Sequence, residues 1–211
     1  MNDYKLKKLE DIATTLISDT RSRMSGIVGL KRMDSGARTV GRAFTIKTRP
    51  SDNLAIYEAL TKVKPGDFLL VESGDNCTNA LVGELITLQL EKLGGVGIIV
   101  DGAIRDYDKL HASKTLACYA RGISHKGPFK TGPGFLNVSI SICGQIVNPG
   151  DIVVADDDGI VTFPESELDD VLLAVEKRVA IEEKVMDEIN KTPHTMAWIQ
   201  DILNVAKSTS K

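Results

Sequence analysis

The sequence is poor in the residues that build zinc clusters and disulfide frameworks. Its 211 residues include only three histidines and three cysteines, and Cys77, Cys118 and Cys143 lie far apart. This spacing fits no zinc site, and an odd number of cysteines does not suit a disulfide framework. Any metal is therefore expected to be bound mainly by oxygen. Widely spaced free thiols also predict a reducing compartment, and we expect a cytoplasmic protein.

Long apolar runs and an excess of basic charge are missing as well. No apolar run approaches the length of a membrane span, and the first residues lack the apolar core of a secretory signal. The net charge is -3 and the isoelectric point is about 5.7, whereas nucleic-acid-binding domains are usually basic. We expect neither a membrane nor a nucleic-acid partner. The hydrophobic share of 42% is enough to build the core of one ordinary domain.

Hydrophobic periodicity predicts alternating strands and helices in the middle of the chain and mainly strands after it. Residues 79–95 are predicted to form a helix, at least from about Glu84, which Gly94 and Gly95 end. Residues 96–100 are predicted to form a buried strand that should end in a turn at Asp101. The main remaining predictions are a helix over 3–19, strands over 41–49 and 64–72, a strand-rich region over 136–164 and a long helix over 166–191. This mixture predicts a layered α/β domain with a mixed sheet.

Charged side chains crowd the end of the buried strand, in the stretch "VDGAIRDYDKL" (100–110). Its charged members include Asp101, Arg105, Asp106 and Asp108. Ligands of α/β sheets gather at the carboxyl ends of strands. The preceding helix begins at Glu84, and the N–H groups of a helix start attract anions. A turn needs far fewer charges, so the pattern indicates a ligand site.

The residue types at this site suit a 2-keto acid next to a hard cation. The Leu85 and Ile86 amides are expected to donate to a carboxylate, with Arg105 on the other side. Asp106 and Glu84 supply the oxygen ligands that Mg²⁺ or Mn²⁺ prefers, and such a metal would polarise the keto group and stabilise an enolate.

A purely structural interpretation uses the same residues. Asp101 and Gly102 are common turn residues. Arg105 and Asp106 then form a solvated ion pair of little energetic value, and Glu84 only favours the start of its helix. Spacing alone leaves this alternative open.

The stretch "GELITLQLEKLGGVGIIVDGAIRD" (83–106) resembles the class II pyruvate aldolase family. This family includes 4-hydroxy-4-methyl-2-oxoglutarate/4-carboxy-4-hydroxy-2-oxoadipate aldolase and regulator of ribonuclease activity A. Its mark is an acid after glycine, then twenty residues, then Arg-Asp, which Glu84, Arg105 and Asp106 reproduce. Further similar blocks follow in family order over most of residues 15–190, among them "VGRAFTIKT", "KPGDFLLVE" and "CGQIVNPGDIVVADDDGIVTFP".

The resemblance implies a fold and an assembly. The fold would be an α/β/β/α sandwich with mixed sheets, similar to the swivelling phosphohistidine domain. We expect it to span residues 1–165, with a C-terminal helical extension over 166–211 that packs on the same domain or on a neighbouring subunit. The resemblance also implies homotrimers, sometimes paired into hexamers, with active sites between subunits.

The resemblance implies a role for each matched residue of the motif. Asp106 would coordinate the metal directly, and Arg105 would bind pyruvate and steady the enolate oxygen. Glu84 would hold metal-bound waters and assist proton transfer. Many family members carry Asp where this chain has Glu84, so the longer side chain can change the metal's outer shell or the substrate range.

Residues outside the acidic motif complete the implied site. Gly83, Leu85 and Ile86 would bind the substrate, the last two through their amides. A glutamate from the C-terminal helix of a neighbouring subunit would join the metal's outer shell. Glu182 and Glu183 are both candidates, and the sequence does not decide between them or exclude a merely solvated helix face.

Two functions therefore compete. The first is a metal-dependent aldolase that releases pyruvate from a 4-hydroxy-2-oxo acid, with oxaloacetate decarboxylation as a companion activity. The second is a non-catalytic protein-binding regulator resembling regulator of ribonuclease activity A. Such regulators tend to lack the long C-terminal helix, so residues 166–206 favour the enzyme.

Overall fold

The computed structural model describes residues 3–74, 77–191 and 196–209, which form a mixed α/β structure. The strands are β1 (Lys31–Arg32), β2 (Thr39–Thr48), β3 (Asp67–Glu72), β4 (Ala80–Val82), β5 (Gly97–Ile104), β6 (Ala117–Ile123), β7 (Gly134–Leu136), β8 (Ile140–Ile142), β9 (Gln145–Val147), β10 (Ile152–Asp156) and β11 (Gly159–Phe163). The helices are α1 (Asp3–Leu9), α2 (Thr14–Thr20), α3 (Leu54–Leu60), α4 (Glu84–Lys92), α5 (Tyr107–His111), α6 (Leu168–Lys191) and α7 (Ala197–Thr209).

Most strands belong to one mixed sheet with the order β1-β6-β5-β3-β2-β10-β11. Strands β2, β3, β5 and β6 run parallel, whereas β1, β10 and β11 pair antiparallel. A bridge between Ile27 and Ile160 links the segment before β1 to β11, so the sheet is nearly closed. Strands β8 and β9 form a separate hairpin.

The sheet folds into two layers, and core clusters cover both faces of its inner strands. In β3, Leu69 and Val71 face one core cluster while Phe68 and Leu70 face another, as the two-residue period of a strand requires. The first cluster packs α3, α4 and α5 on the parallel strands; the second lies between these strands and β8–β11; the third packs α1, α2 and α6 on β10 and β11. The predicted α/β/β/α sandwich is therefore confirmed.

Two of the predicted helices are shorter than expected. The helix predicted over 3–19 is split into α1 and α2, because Asp156 caps a new start. Its Oδ2 accepts the Thr14 amide at 3.0 Å and its Oδ1 accepts the Thr14 hydroxyl at 2.6 Å. The helix predicted over 79–95 begins only at Glu84, because residues 80–82 form strand β4, which pairs with β5.

The prediction of a turn at Asp101 was wrong. Strand β5 continues to Ile104, with a bulge between Val100 and Ala103. At this point β4 replaces β3 as its neighbour, so the strand gains new pairing partners. The Asp101 carboxylate is buried and bonded to Arg121. Asp101 therefore does not belong to the charged cluster, which begins only after Ile104.

The long helix α6 has two different halves. Its first half contributes Leu168, Val171, Leu172 and Val175 to the third core cluster. Its second half exposes Ile181, Met186 and Ile189.

Within the described ranges, no helix has both the length and the apolar composition that crossing a membrane requires.

Candidate active site

The site lies where β5 ends beside the start of α4. The Arg105 amide donates to the Val82 carbonyl at 2.9 Å, which holds this chain end against β4. Asp106 then adopts a left-handed conformation, with φ 58° and ψ 40°, and α5 follows directly. Aspartate tolerates this conformation better than most residues with a side chain. The sharp turn keeps Arg105 and Asp106 at the start of α4.

The Asp106 carboxylate caps the N-terminus of α4, although Asp106 lies after strand β5 and not in the chain segment next to the helix. Gly83 is the N-cap residue of α4 and offers no side chain, and Asp106 Oδ2 accepts the Glu84 amide at 3.0 Å instead. Arg105 Nε lies 3.7 Å from the same oxygen. The Arg105 and Asp106 side chains stay 44% and 42% exposed. Within the described residues, no hydrogen bond or ion pair engages Asp106 Oδ1.

Gly83 is required here for space rather than for backbone freedom. Its φ of -150° is ordinary extended backbone. A Cβ at this position would lie 2.3 Å from Asp106 Oδ2 and 2.9 Å from Arg105 Cγ. The glycine therefore permits the close approach of both charged side chains to the helix start.

The first amides of α4 are not equivalent. The Glu84 amide is bound by Asp106, and the Ile86 amide donates to the Gly83 carbonyl at 3.1 Å. The Leu85 amide has no acceptor among the described residues, and the Leu85 side chain is 77% exposed. Leu85 is thus the better placed of the two predicted amide donors.

These groups line a small cavity of about 30 Å³. Its lining residues are Asn53, Tyr57, Ala80, Leu81, Val82, Gly83, Leu85, Ile86, Arg105, Asp106, Pro128 and Lys130. The Lys130 ammonium group lies 5.8 Å from the centre of the Tyr57 ring. The volume corresponds to roughly one or two water molecules. It accommodates a functional group of a ligand rather than a whole keto acid.

Sequence reasoning missed Asn53, which is 2% exposed. Its Nδ2 donates to the Leu81 carbonyl at 2.8 Å, while its buried Oδ1 has no hydrogen-bond partner in the part of the chain that the structure describes. A buried acceptor left unpaired costs about 1–3 kcal/mol. The only sequence signal was an Asn just before a helix, which ordinarily indicates a cap.

Asp52 fixes the loop that forms one wall of the cavity. It accepts the amides of Leu54 at 3.0 Å, Thr131 at 2.8 Å and Gly132 at 3.0 Å. Burial raises the pKa of Asp52, but these hydrogen bonds outweigh burial and lower the pKa to about 2. The carboxylate stays ionised at neutral pH and holds Lys130 beside the cavity.

The predicted site glutamates are not among the residues that line this cavity. Glu84 borders a separate groove of about 330 Å³ between α4 and α5, together with Glu91, Lys109 and Lys114. In α6, Glu182 Oε1 accepts Arg178 Nε at 3.1 Å. Glu183 is exposed. Of the predicted residues, Gly83, Leu85, Ile86, Arg105 and Asp106 are thus brought together in the cavity.

The donor set fits a weakly held hard cation. Across residues 3–74, 77–191 and 196–209, no three or more His, Cys, Asp and Glu side chains are grouped to hold a metal. Mg²⁺ commonly keeps several waters and uses only one or two carboxylates. The exposed Asp106 carboxylate, with its Oδ1 oxygen available, suits that mode of binding.

The family model described as "RraA-like: Aldolase/RraA" matches residues 13–162, which include the whole charged motif. The chain belongs to the RraA-like family. One relative, from Halalkalibacterium halodurans, is provisionally named a 4-hydroxy-4-methyl-2-oxoglutarate aldolase. It is 34% identical over 181 residues, which cover 84% of this chain and 85% of the relative.

Two solved structures share the fold of this chain. The RNA-processing inhibitor RraA from Thermus thermophilis is similar with a TM-score of 0.67 and 28% identity, over 72% of this chain and 93% of that protein. An uncharacterized protein from Pseudomonas syringae pv. tomato is similar with a TM-score of 0.82 and 22% identity, over 96% of this chain and 95% of that protein. The second similarity supports the fold alone.

Proposed function

We propose that this RraA-like protein is a divalent-metal-dependent aldolase that cleaves a 4-hydroxy-2-oxo acid and releases pyruvate. The observation that carries the proposal is the cavity at the start of α4. An unpaired amide at Leu85, the Arg105 guanidinium and a carboxylate oxygen of Asp106 all border it. The name of the H. halodurans relative points to the same reaction class, with 4-hydroxy-4-methyl-2-oxoglutarate as substrate.

In this reaction, the C3–C4 bond of the substrate breaks and its electron pair passes to C3. The 4-hydroxyl proton passes to water as C4 becomes a carbonyl carbon, and the pyruvate enolate then takes a proton at C3 from water. The Leu85 amide would hold the substrate carboxylate. Arg105 would bind the keto oxygen and stabilise the negative charge that develops on it. Oxaloacetate decarboxylation passes through the same enolate, so we include it as a companion activity.

Asp106 would hold the divalent metal, Mg²⁺ or Mn²⁺, and Glu84 would contribute through bound water. When bound, the cation supplies positive charge that polarises the keto group. We propose Glu84 to exchange protons with this bound water, although Glu84 borders the groove between α4 and α5. Its carboxylate is left available for that role, because the contact with Asp106 involves only the Glu84 amide.

We further propose that the active protein is a homotrimer or a pair of trimers. The small size of the cavity supports this, because a whole keto acid needs walls beyond the residues of one subunit. The exposed apolar side chains on the second half of α6 also support an interface there. Three free cysteines fit a cytoplasmic location. Light scattering on the purified protein would measure the assembly.

The test is pyruvate release from 4-hydroxy-4-methyl-2-oxoglutarate and from oxaloacetate. Wild type is assayed with Mg²⁺, with Mn²⁺ and with a chelator, and Asp106→Ala is assayed alongside. Metal-dependent turnover that disappears in the variant is the expected result. Absence of turnover on both compounds, with folded protein and metal present, would refute the proposed activity on these substrates.

The alternative is a non-catalytic regulator that acts by protein contact. It is favoured by the 28% identity to the RNA-processing inhibitor RraA. That likeness covers 93% of RraA but only 72% of this chain, so this chain has additional segments that RraA lacks. A ribonuclease inhibition assay on wild type and Asp106→Ala would separate the two functions, because a regulator that acts by surface contact does not need the Asp106 carboxylate.

A further inference from the structure

We propose that Asn53 accepts a hydrogen bond from the 4-hydroxyl group of the substrate and thereby selects hydroxylated keto acids. The inference rests on the proposed function. It begins from the buried Oδ1 atom of Asn53, which has no hydrogen-bond partner among the described residues although Asn53 lines the cavity of Arg105 and Asp106.

The position of Asn53 is fixed by all its other polar groups. Its backbone amide donates to the Phe129 carbonyl at 3.0 Å, and its carbonyl accepts the Ile56 amide at 3.1 Å. Its Nδ2 donates to the Leu81 carbonyl at 2.8 Å. Because the Leu81 carbonyl can only accept, this contact also identifies the free end of the side chain as the oxygen.

Capping does not explain the residue. Asn53 is the N-cap residue of α3, yet its side chain makes no capping hydrogen bond. Asp52 takes that role instead, since its Oδ1 accepts the Leu54 amide at 3.0 Å. Asn53 is held rigidly, its side chain caps nothing, and its unpaired acceptor is buried in a residue that lines the cavity. This combination indicates a binding role for the side chain.

The chemistry of the ligand follows from the need of the Asn53 Oδ1 acceptor for a hydrogen-bond donor. The head of a 2-keto acid carries a carboxylate and a keto oxygen, which are acceptors only and suit Leu85 and Arg105. An ionised 4-hydroxy-2-oxo acid has one donor, its hydroxyl group. That group therefore matches Asn53 Oδ1, and the cavity of about 30 Å³ has room for a group of this size.

The amide oxygen of Asn53 positions the hydroxyl group without taking its proton, because an amide is not a base at neutral pH. Its effect is therefore on substrate choice. A site built to bind a hydroxyl group discriminates strongly against analogues that lack it, because its acceptor is then left unpaired. Oxaloacetate has no hydroxyl group on C4 and should not depend on Asn53.

The first test compares the two substrates in Asn53→Leu, which has a similar shape and no acceptor. We expect kcat/KM for 4-hydroxy-4-methyl-2-oxoglutarate to fall on the order of 10- to 100-fold. For oxaloacetate decarboxylation it should change by less than about threefold. An equal loss on both substrates, or no loss on the first, would overturn the inference. Asn53→Ala replaces this variant if Asn53→Leu does not fold.

Two further variants serve as controls for the ratio of the two kcat/KM values. Asn53→Asp keeps an acceptor oxygen. Its added negative charge repels both substrates to a similar extent, because both are dianions. The ratio of the two kcat/KM values should therefore stay near that of wild type. Thr162→Val removes a second buried side-chain oxygen that has no partner among the described residues and lies on β11. It should leave the ratio unchanged. A changed ratio in Thr162→Val would mean that selectivity does not come from Asn53.

A binding measurement separates this inference from the proposed function. If wild type turns over neither substrate, calorimetry with Mg²⁺ compares 4-hydroxy-2-oxoglutarate with 2-oxoglutarate, which lacks the hydroxyl group. At least about tenfold tighter binding of the hydroxylated acid, lost in Asn53→Leu, supports the inference although the aldolase activity has failed. Equal affinities, or no binding of either acid, overturn it.

Discussion

The backbone amide of Glu84 donates to Asp106 Oδ2 at 3.0 Å, which joins the start of helix α4 to the residue just beyond strand β5. The two residues are 22 positions apart. The Asp106 carboxylate thus has one oxygen in a structural role while Oδ1 stays available to a ligand. The structural and chemical roles of this side chain can be separated by substitution.

Asp106→Asn should keep the structural role and lose the chemical one. Its amide oxygen can still accept the Glu84 amide, and asparagine tolerates the left-handed φ of 58°. We expect Tm to change by only a few degrees, roughly the effect of 1 kcal/mol or less. Metal-dependent pyruvate release should fall by at least about 100-fold, because the negative charge is gone.

Asp106→Ala should lose both roles and unfold about 1 kcal/mol more easily than Asp106→Asn. Thermal unfolding and pyruvate assays on both variants provide the comparison. Substantial activity in Asp106→Asn would contradict a metal-binding role for this carboxylate.

Gly83→Ala should damage the site more than the fold. The new Cβ would lie 2.3 Å from Asp106 Oδ2, and a flexible side chain can move away at low cost. That movement breaks the contact with Glu84, so we expect activity to fall by at least about tenfold with a Tm loss of a few degrees. Gly122→Ala is the matched control, because among the described residues its Cβ would meet only Cys77 Sγ, at an ordinary contact distance of 3.7 Å. Equal activity in the two variants would show that the close approach at Gly83 does not matter.

Glu84→Gln tests the carboxylate of this residue without touching its amide. The contact with Asp106 should persist, and Tm should stay near that of wild type. If Glu84 moves protons, kcat should fall about 10²- to 10⁴-fold, the usual contribution of a general acid or base. Unchanged kcat would leave Glu84 with only the backbone role seen in the structure.

Asp52 should make folding sensitive to acid. Its pKa is lowered from 3.8 to about 2, so its ionised form stabilises the folded state. This contribution is complete well above pH 3.8 and is lost as the pH falls from 3.8 toward about 2. Asp52→Asn should lose about 2–4 kcal/mol of unfolding free energy at neutral pH, because several hydrogen bonds to the carboxylate are disrupted.

Urea unfolding of wild type and Asp52→Asn at a series of pH values measures the Asp52 contribution directly. The difference between the two proteins should shrink as the pH falls through this window. A difference that stays constant with pH would show that the hydrogen bonds do not depend on the charge of Asp52.

We propose Glu183 rather than Glu182 as the glutamate that would reach the site of a neighbouring subunit. Glu182 is already paired with Arg178 at 3.1 Å, whereas the exposed Glu183 makes no ion pair within the described residues. We expect Glu183→Gln to lower kcat by about tenfold and Glu182→Gln to change it by less than about twofold. The assay belongs on the assembled protein, with light scattering as the control for assembly. The reverse order of effects would make Glu182 the better candidate.

The sequence predicted the layers of the fold and most of its elements. The alternation of Leu69 and Val71 with Phe68 and Leu70 requires two buried faces, and this makes β3 an inner strand. It did not predict that β5 extends past Asp101, because the extension depends on pairing with β4. Nor did it predict the break between α1 and α2, because the cap comes from Asp156, far along the chain.

By itself, the sequence determined which chemistry was available: a helix start at Glu84, and Arg105 and Asp106 after a buried strand. These are local features, set by spacing, hydrophobic period and residue type. Tertiary structure alone decided that Asp106 caps α4 and that the Leu85 amide has no acceptor among the described residues. It also decided that Asp101 is buried against Arg121 and does not belong to the site. It further decided that Asn53, which lines the cavity, has a buried side-chain oxygen with no partner among the described residues. Hydrogen bonds between residues far apart in the chain set these outcomes, and no local pattern encodes them.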